Sequence, residues 1–173
     1  PISKTGVQLV AYASEEPPFF RSDEMGSAVH AASLERPVKL MIALEMIGYY
    51  DSAPGSQNYP YPAMSWLYPD RGDFIAVVGR IQDINAVRQV KAALLSSQDL
   101  SVYSMNTPGF IPGIDFSDHL NYWQHDIPAI MITDTAFYRN KQYHLPGDTA
   151  DRLNYQKMAQ VVDGVITLLY NSK

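Results

Sequence analysis

The sequence predicts an α/β protein, a three-layer α/β/α sandwich with helices on both faces of a mostly parallel or mixed central sheet. The alternation of two kinds of apolar segment favours this class. Short apolar segments rich in β-branched residues alternate with segments whose apolar residues recur every three to four positions, which is typical of buried strands alternating with amphipathic helices. The chain has 173 residues, of which 46% are hydrophobic. This length suits one domain, and we expect residues 1–173 to form it.

The elements are predicted in a regular order along the chain. Each predicted strand is a short apolar run that ends at Pro, Gly or polar residues. The strands are predicted at 6–13, 38–47, 73–79, 101–105 and 128–133. The helices are predicted at 25–34, 84–95, 117–125 and 155–170. The near-continuous apolar run at 38–47 is expected of a strand that is covered on both faces.

Two long segments follow neither pattern. Residues 51–72 are rich in Pro, Gly and Tyr, and this composition predicts a long surface loop. Its aromatic side chains, including Trp66, either line a substrate cleft or pack over the sheet, and we favour packing. Residues 134–152 are predicted to be irregular. The chemistry of an open α/β sheet lies beyond the strand ends, so polar residues at these boundaries are the candidates for function.

The composition excludes several classes of protein. The net charge is −5 and no basic stripe is present, so we expect no nucleic-acid partner. No apolar stretch approaches the roughly 20 residues of a membrane span, so we expect no membrane partner. The chain has no cysteine. Any metal ion must therefore be held by His, Asp or Glu.

The adjacent carboxylates Glu15 and Glu16 follow the first predicted strand. In an extended backbone, neighbouring side chains point to different sides. One carboxylate can therefore bind a metal ion while the other acts on a water molecule as a general base. Two solvated surface glutamates are the simpler alternative, and the pair alone favours that alternative.

Glu45 lies in an otherwise apolar run, where an unpaired carboxylate is costly. The sequence leaves three explanations open: a position near the strand end, a salt bridge to Arg or Lys, or coordination of a metal ion. His144 lies in an irregular segment that also contains Asp148, so its imidazole is a candidate metal ligand. Asp118 opens a predicted helix, where it serves either as an N-cap or in substrate binding.

Taken together, several short motifs resemble the zinc-dependent aminopeptidase superfamily that also contains glutaminyl cyclases. The resemblance runs over nearly the whole chain and rests on the order and spacing of the motifs. They are Glu15-Glu16, Met25-Gly26-Ser27, Leu44-Glu45-Met46-Ile47-Gly48-Tyr49, Ser117-Asp118-His119, Ile127-Pro128-Ala129, and Tyr143-His144 through Asp148-Thr149.

The resemblance implies a site with two zinc ions that removes the amino-terminal residue from a peptide substrate. Glu15 matches the general base, Glu16 and His144 match two ligands of one zinc ion, and Glu45 matches a ligand of the other. The superfamily more often has Asp at the position of Glu45. Asp118 matches an acidic residue near the substrate site of the related cyclases. Relatives are often exported, which slightly favours a periplasmic or secreted location.

The chain also departs from the superfamily pattern. The His-x-Asp motif and the bridging Asp of the superfamily precede the Glu-Glu pair, but residues 1–14 contain no His, Asp or Glu. Catalytic zinc normally has three protein ligands. We therefore expect weak metal binding and little or no peptidase activity, either in the C-terminal part of a longer enzyme or in a shortened homologue.

Three further expectations follow. Loss of the superfamily's first strands leaves apolar sheet surface exposed, so we expect a homo-oligomer. A homologue that binds a peptide or protein without catalysis is an alternative function. Cyclase-type acyl transfer is a second alternative, since aminopeptidases and cyclases share these ligands. A serine or phosphate-binding site is not indicated, because the chain has neither a Gly-x-Ser-x-Gly elbow nor a phosphate-binding loop.

Overall fold

A computed structural model of the chain describes residues 6–96, 99–109 and 111–171. The strands in these ranges are β1 (Met41–Glu45), β2 (Ile75–Arg80), β3 (Val102–Thr107) and β4 (Ala129–Thr133). The α-helices are α1 (Gly26–Ala32), α2 (Ile84–Leu94), α3 (His119–Trp123) and α4 (Tyr155–Asn171). Short 3₁₀ turns lie at Pro62–Trp66, Ile81–Asp83, Ala136–Tyr138 and Ala150–Arg152.

The described strands form one mixed sheet in the order β1-β4-β2-β3. β1 runs parallel to β4 and β2 runs parallel to β3, whereas β2 and β4 are antiparallel. In the register of the first pair, Glu45 is the partner of Thr133. The parallel pairing therefore brings the carboxyl ends of β1 and β4 to the same edge of the sheet, beside each other.

The two faces of the sheet are covered differently. One face packs on α2 and α4 through a core that includes Ile75, Val77 and Ile130. The other face carries Ala43 and Met131, and α3 contacts its β1–β4 side while α1 packs on α3. Side chains alternate between the faces of a strand, so Glu45 shares the second face with Ala43. This face is the one that carries the candidate site.

The structure confirms the α/β class, the mixed sheet and the helices on both faces. The strand predicted at 6–13 is wrong, because residues 6–12 are irregular and pair with no described strand. Apolar alternation indicates a strand only where a neighbouring strand supplies hydrogen bonds. The prediction that 38–47 is covered on both faces is also wrong. Its strand is shorter, and the Leu44 side chain is 48% exposed.

The remaining predicted strands and helices agree with the structure to within a few residues. The best agreement is at β2 and β4, whose residues are almost all buried. The segment 51–72 is a long loop, as predicted, and a single bridge between Asp51 and Gly72 closes its base. None of the helices in the described ranges combines the length and apolar character that crossing a bilayer requires.

Candidate active site

Glu45 is the last residue of β1, and it is half-buried. Its Oε2 accepts a hydrogen bond of 3.0 Å from the hydroxyl group of Ser117. Burial is the main cause that raises the pKa of Glu45, and Asp118, Glu16 and Asp134 raise it further. No cationic side chain of the described residues pairs with it. Of the three explanations left open by the sequence, the strand-end position is correct and the salt bridge is wrong.

Glu15 and Glu16 follow a turn at Ser14, whose φ angle is 60°. Glu15 is half-buried and Glu16 is exposed. Burial is the main cause that raises the pKa of Glu15 to about 7, followed by the negative charges of Glu45, Glu16 and Asp118. These interactions place four carboxyl groups in one region, although they come from distant parts of the chain.

Glu16 meets His144 across the site. Its Oε1 lies 3.1 Å from Nε2 of the imidazole, and the two residues are 128 positions apart in the chain. Both side chains are more than half exposed. The imidazole stacks on the ring of Tyr143, with 3.9 Å between the ring centres. The fold therefore joins two of the candidate metal ligands and leaves them accessible.

The loop that carries His144 is anchored by the buried side chain of Asn140, which is 1% exposed. Its Nδ2 donates to Oδ1 of Asp148 at 2.8 Å. Its Oδ1 accepts from the guanidinium of Arg152 at 2.8 Å and from the backbone N–H of Gln142 at 3.0 Å. Residues 140–152 thus form a cross-linked loop. The sequence analysis missed Asn140, whose only signal was a polar residue in an irregular segment.

Asp118 precedes α3, but its carboxylate makes no capping hydrogen bond to that helix. One oxygen accepts a hydrogen bond from Ser27, and the other, Oδ1, is buried without a hydrogen-bond partner in the described residues. Burial raises the pKa of Asp118. The N-cap explanation therefore has no support here, and the carboxylate is electrostatically linked to Glu15 and Glu45 instead.

Asp134 follows β4 and holds the two strand ends together. Its carboxylate accepts hydrogen bonds from the backbone N–H groups of Gly48, Tyr49 and Ala136, at 2.7 to 3.1 Å. Burial raises its pKa to about 6, and these hydrogen bonds oppose that rise. Since its oxygens are occupied by the backbone, Asp134 shapes the edge on which Glu45 lies.

The described residues fit a zinc site only in part. Two ligands of one tetrahedral zinc ion, each about 2.1 Å from the metal, lie about 3.4 Å apart. The 3.1 Å between Glu16 and His144 is close to that separation. Within the described ranges, however, no group of three or more His, Asp or Glu residues is arranged to hold a metal ion. These residues by themselves do not make a complete catalytic zinc site.

A deep apolar cavity opens beside this cluster, and Glu45 and Tyr143 are among the residues that line it. Tyr59 and Tyr68 of the long loop line it as well, and their rings contact each other at 5.9 Å between centres. The loop aromatics therefore both pack over the sheet and bound the cavity, whereas Trp66 is 87% exposed. The sequence left both roles open and favoured packing, whereas Tyr59 and Tyr68 have both.

Comparison with known proteins places the chain in a family. Residues 1–169 match the sequence profile of peptidase family M28. The chain belongs to peptidase family M28. The suspected relationship to zinc aminopeptidases is thereby confirmed, and peptidase-type chemistry is established at the level of the family.

A protein of Escherichia coli, YfbL, is 99% identical to this M28 chain over 172 residues. The match covers 99% of the chain and 53% of YfbL, so the chain spans about half the length of the curated relative that it matches.

Solved structures that share this fold include aminopeptidases. LapB from Legionella pneumophila is 19% identical with a TM-score of 0.62, and the match covers 91% of this chain and 37% of LapB. The LapA aminopeptidase from the same organism is 20% identical with a TM-score of 0.57, over 83% of this chain and 34% of LapA. BSAP, a zinc aminopeptidase from Bacillus subtilis, is 17% identical with a TM-score of 0.56, over 85% and 32% of the two chains. At these identities the similarity shows the fold.

Proposed function

We propose that this chain carries the general base and part of the metal-ligand set of a zinc-dependent aminopeptidase-like hydrolase that removes N-terminal residues from peptides. The observation that carries the proposal is the meeting of Glu16 with His144, whose side chains lie 3.1 Å apart although 128 residues separate them. Glu15 directly precedes Glu16, and Glu45 lies in the same cluster of carboxylates. Membership of peptidase family M28 supports the class of reaction.

The chain's own residues have distinct parts in this reaction. Glu16 and His144 would hold one zinc ion, and Glu45 would contribute to a second. Zinc supplies Lewis acidity, which makes water a stronger nucleophile and polarises a carbonyl group. Glu15 accepts the proton of the attacking water and then delivers it to the departing amine. Its partial burial beside other carboxylates suits a group that both accepts and donates a proton near neutral pH.

The number of ligands limits what residues 1–173 do alone. The candidate ligands would provide two donors for one zinc ion and one for the other, whereas catalytic zinc normally has three protein ligands. We therefore propose weak zinc binding and little or no turnover by these residues alone.

The zinc ligands are tested by titration of the chain with zinc against a competing chelator. We expect Glu16→Gln and His144→Ala each to weaken zinc binding at least about tenfold, because each removes one of two donors to the same ion. Glu24→Gln, at an exposed position outside the cluster, is the matched control and should bind as the parent chain does. Equal zinc affinity in all four proteins would contradict the ligand assignment.

The general base is tested by the residual hydrolysis of aminoacyl chromogenic substrates with added zinc. Glu15→Gln removes the proton acceptor but keeps the size of the side chain, and we expect it to lower turnover by about 10²-fold or more. Zinc affinity should stay within about twofold of the parent. Turnover that survives in Glu15→Gln would overturn the assignment of the base.

A further inference from the structure

The imidazole of His144 depends on its loop to hold it in place. Among the described residues, its side chain meets the Glu16 carboxylate and the ring of Tyr143, and it is more than half exposed. Its backbone φ angle is 58°, in the left-handed region that residues other than glycine seldom adopt. Such a conformation persists only where the surrounding structure imposes it. The position of the imidazole therefore reflects how loop 140–152 is attached to the rest of the fold.

Both ends of this loop are attached to Tyr49, which follows Glu45 shortly after the end of β1. The backbone N–H of Tyr49 donates to the carboxylate of Asp134 at 2.7 Å. Its carbonyl oxygen accepts a hydrogen bond of 3.0 Å from Nη1 of Arg139, the residue before the loop. Its phenol oxygen accepts one of 3.1 Å from Nη2 of Arg152, the last residue of the loop. Tyr49 thus joins the loop to the strand ends.

Arg152 connects more of the loop than any single hydrogen bond can. Its guanidinium group lies over the ring of Tyr49, 4.7 Å from the ring centre. Nη1 donates to Oδ1 of Asn140 at 2.8 Å and to the carbonyl oxygen of Gly147 at 3.3 Å. A planar guanidinium can stack on a ring and donate in several directions at once, which an ammonium group cannot do. One side chain therefore ties both ends and the middle of the loop to residue 49.

The other attachment, at Arg139, belongs to the packed interior. Arg139 is 2% exposed, and its guanidinium lies 4.6 Å from the centre of the Phe74 ring. Its Nε donates to Oε1 of Gln57 at 2.9 Å. Replacing such a side chain disturbs the core around it. Arg152 and Tyr49 are only half-buried, so their contact can be removed while the interior stays intact.

We propose that Arg152 and the hydroxyl group of Tyr49 are positioning residues, which hold loop 140–152 against the segment after β1 and thereby keep His144 beside Glu16. This inference rests on the proposed function, in which His144 and Glu16 hold a zinc ion, and it adds two residues that act through His144. Groups that orient metal ligands commonly contribute about 10- to 100-fold to metal affinity. The same contact also joins the loop to the segment that begins at Glu45, the candidate ligand of the second zinc ion.

The first test is titration with zinc against a competing chelator. Tyr49→Phe removes only the hydroxyl group, and we expect it to weaken zinc binding about threefold or more, and Arg152→Gln about tenfold. Since both act through one contact, the double variant should bind about as weakly as Arg152→Gln alone. Arg88→Gln, at an exposed position on α2, is the matched control and should bind as the parent does. Circular dichroism and thermal unfolding check that the variants fold.

Unchanged zinc affinity in folded Arg152→Gln would overturn the proposal, even if its melting temperature falls, because the contact would then serve stability alone. Losses that multiply in the double variant would contradict action through a shared contact. A parent chain whose zinc binding depends on Glu16 and His144 but not on Arg152 would keep the ligand assignment and overturn the positioning role.

A second test needs no zinc. The chain has no cysteine, so a Glu16→Cys, His144→Cys variant contains only two thiols. Their disulfide equilibrium with glutathione measures the effective concentration of one thiol at the other, and we expect added Arg152→Gln to lower it at least about fivefold. Added Arg88→Gln should leave it unchanged. A fall with Arg152→Gln in a chain that binds no zinc would support the positioning contact while contradicting the ligand proposal, whereas an unchanged value would overturn the positioning contact.

Discussion

Glu45 and His119 differ in how clearly the sequence marks them as unusual residues. Glu45 is an anomaly in the sequence because a carboxylate interrupts an apolar strand, and the structure places it at the strand end with a hydroxyl partner, Ser117. His119 gave no such signal, yet it is completely buried. Its Nε2–H donates to the carbonyl oxygen of Ile114 at 2.7 Å, and its Nδ1 is buried without a hydrogen-bond partner in the described residues.

His119 makes the stability of the fold depend on pH. Burial is the main cause that lowers its pKa from 6.5 to about 4, the hydrogen bond to Ile114 opposes this, and the positive charge of Arg80 lowers it further. The unfolded chain therefore binds a proton at a higher pH than the native chain does. The stabilisation is present above pH 6.5 and is lost as the pH falls towards 4.

We expect the free energy of unfolding to decrease by up to about 3 kcal/mol through this group between pH 7 and pH 4. The measurement is urea unfolding at several pH values of the parent chain and of His119→Gln, which keeps an N–H donor but does not titrate. The stability of the parent should fall more steeply than that of the variant. Parallel pH profiles would show that His119 contributes nothing to the dependence.

At the scale of elements, α2 and α4 approach each other closely on one side of the sheet. This approach depends on Gly164, where an added Cβ would lie 2.6 Å from Cδ2 and 2.9 Å from Cα of Leu94. Leu94 is fully buried, and its Cα is a backbone atom. An added Cβ at position 164 therefore fits only if one of the two helices shifts. Helix periodicity predicted both helices. The distance between them depends on how their side chains pack, which periodicity does not report.

Gly164→Ala should therefore destabilise the protein, although alanine is the better helix former by about 1 kcal/mol. Overpacking of a tight core costs about 1–3 kcal/mol. After the gain in helix propensity of about 1 kcal/mol, we expect a net loss of up to about 2 kcal/mol in the free energy of urea unfolding. Asp163→Ala, at the adjacent exposed position, should change stability by less than about 0.5 kcal/mol. A variant at Gly164 that is as stable as the parent would show that the helices can separate without penalty.

At the scale of the whole molecule, apolar surface is exposed near one edge of the described sheet. β1 is an edge strand in the order of the described strands, and its Leu44 is 48% exposed. Elsewhere in the chain, Leu9 of the irregular segment before the Glu-Glu pair is 94% exposed. An open strand edge and exposed apolar side chains favour association.

We accordingly propose that the chain associates with further copies of itself through this edge. Sedimentation velocity at micromolar concentration should show dimers or larger species, and Leu44→Lys should shift the distribution towards the monomer. Ile166→Lys, at an exposed position on α4, serves as the control and should leave the distribution unchanged. A single monomeric species of the parent chain would contradict this proposal.

The amino-acid sequence by itself determined the type and order of most secondary-structure elements, and it identified the candidate catalytic and metal-binding residues. Periodicity and burial are local properties, and they located β2 and β4 because both strands are buried along their whole length. Recognisable motifs likewise identified Glu15, Glu16, Glu45, Asp118 and His144 as candidates. The segment 6–13 shows the limit of local pattern, because a strand also needs a neighbour with which to pair.

Only the tertiary structure decided which of these residues meet. Glu16 and His144 are 128 residues apart, and they meet because the fold brings the segment before α1 against the anchored loop 140–152. The cavity likewise exists because the long loop lies over the sheet, a contact between segments that no short window of sequence contains. Contacts over such distances arise from register and packing, whereas a sequence pattern reports the preferences of a residue and its nearest neighbours.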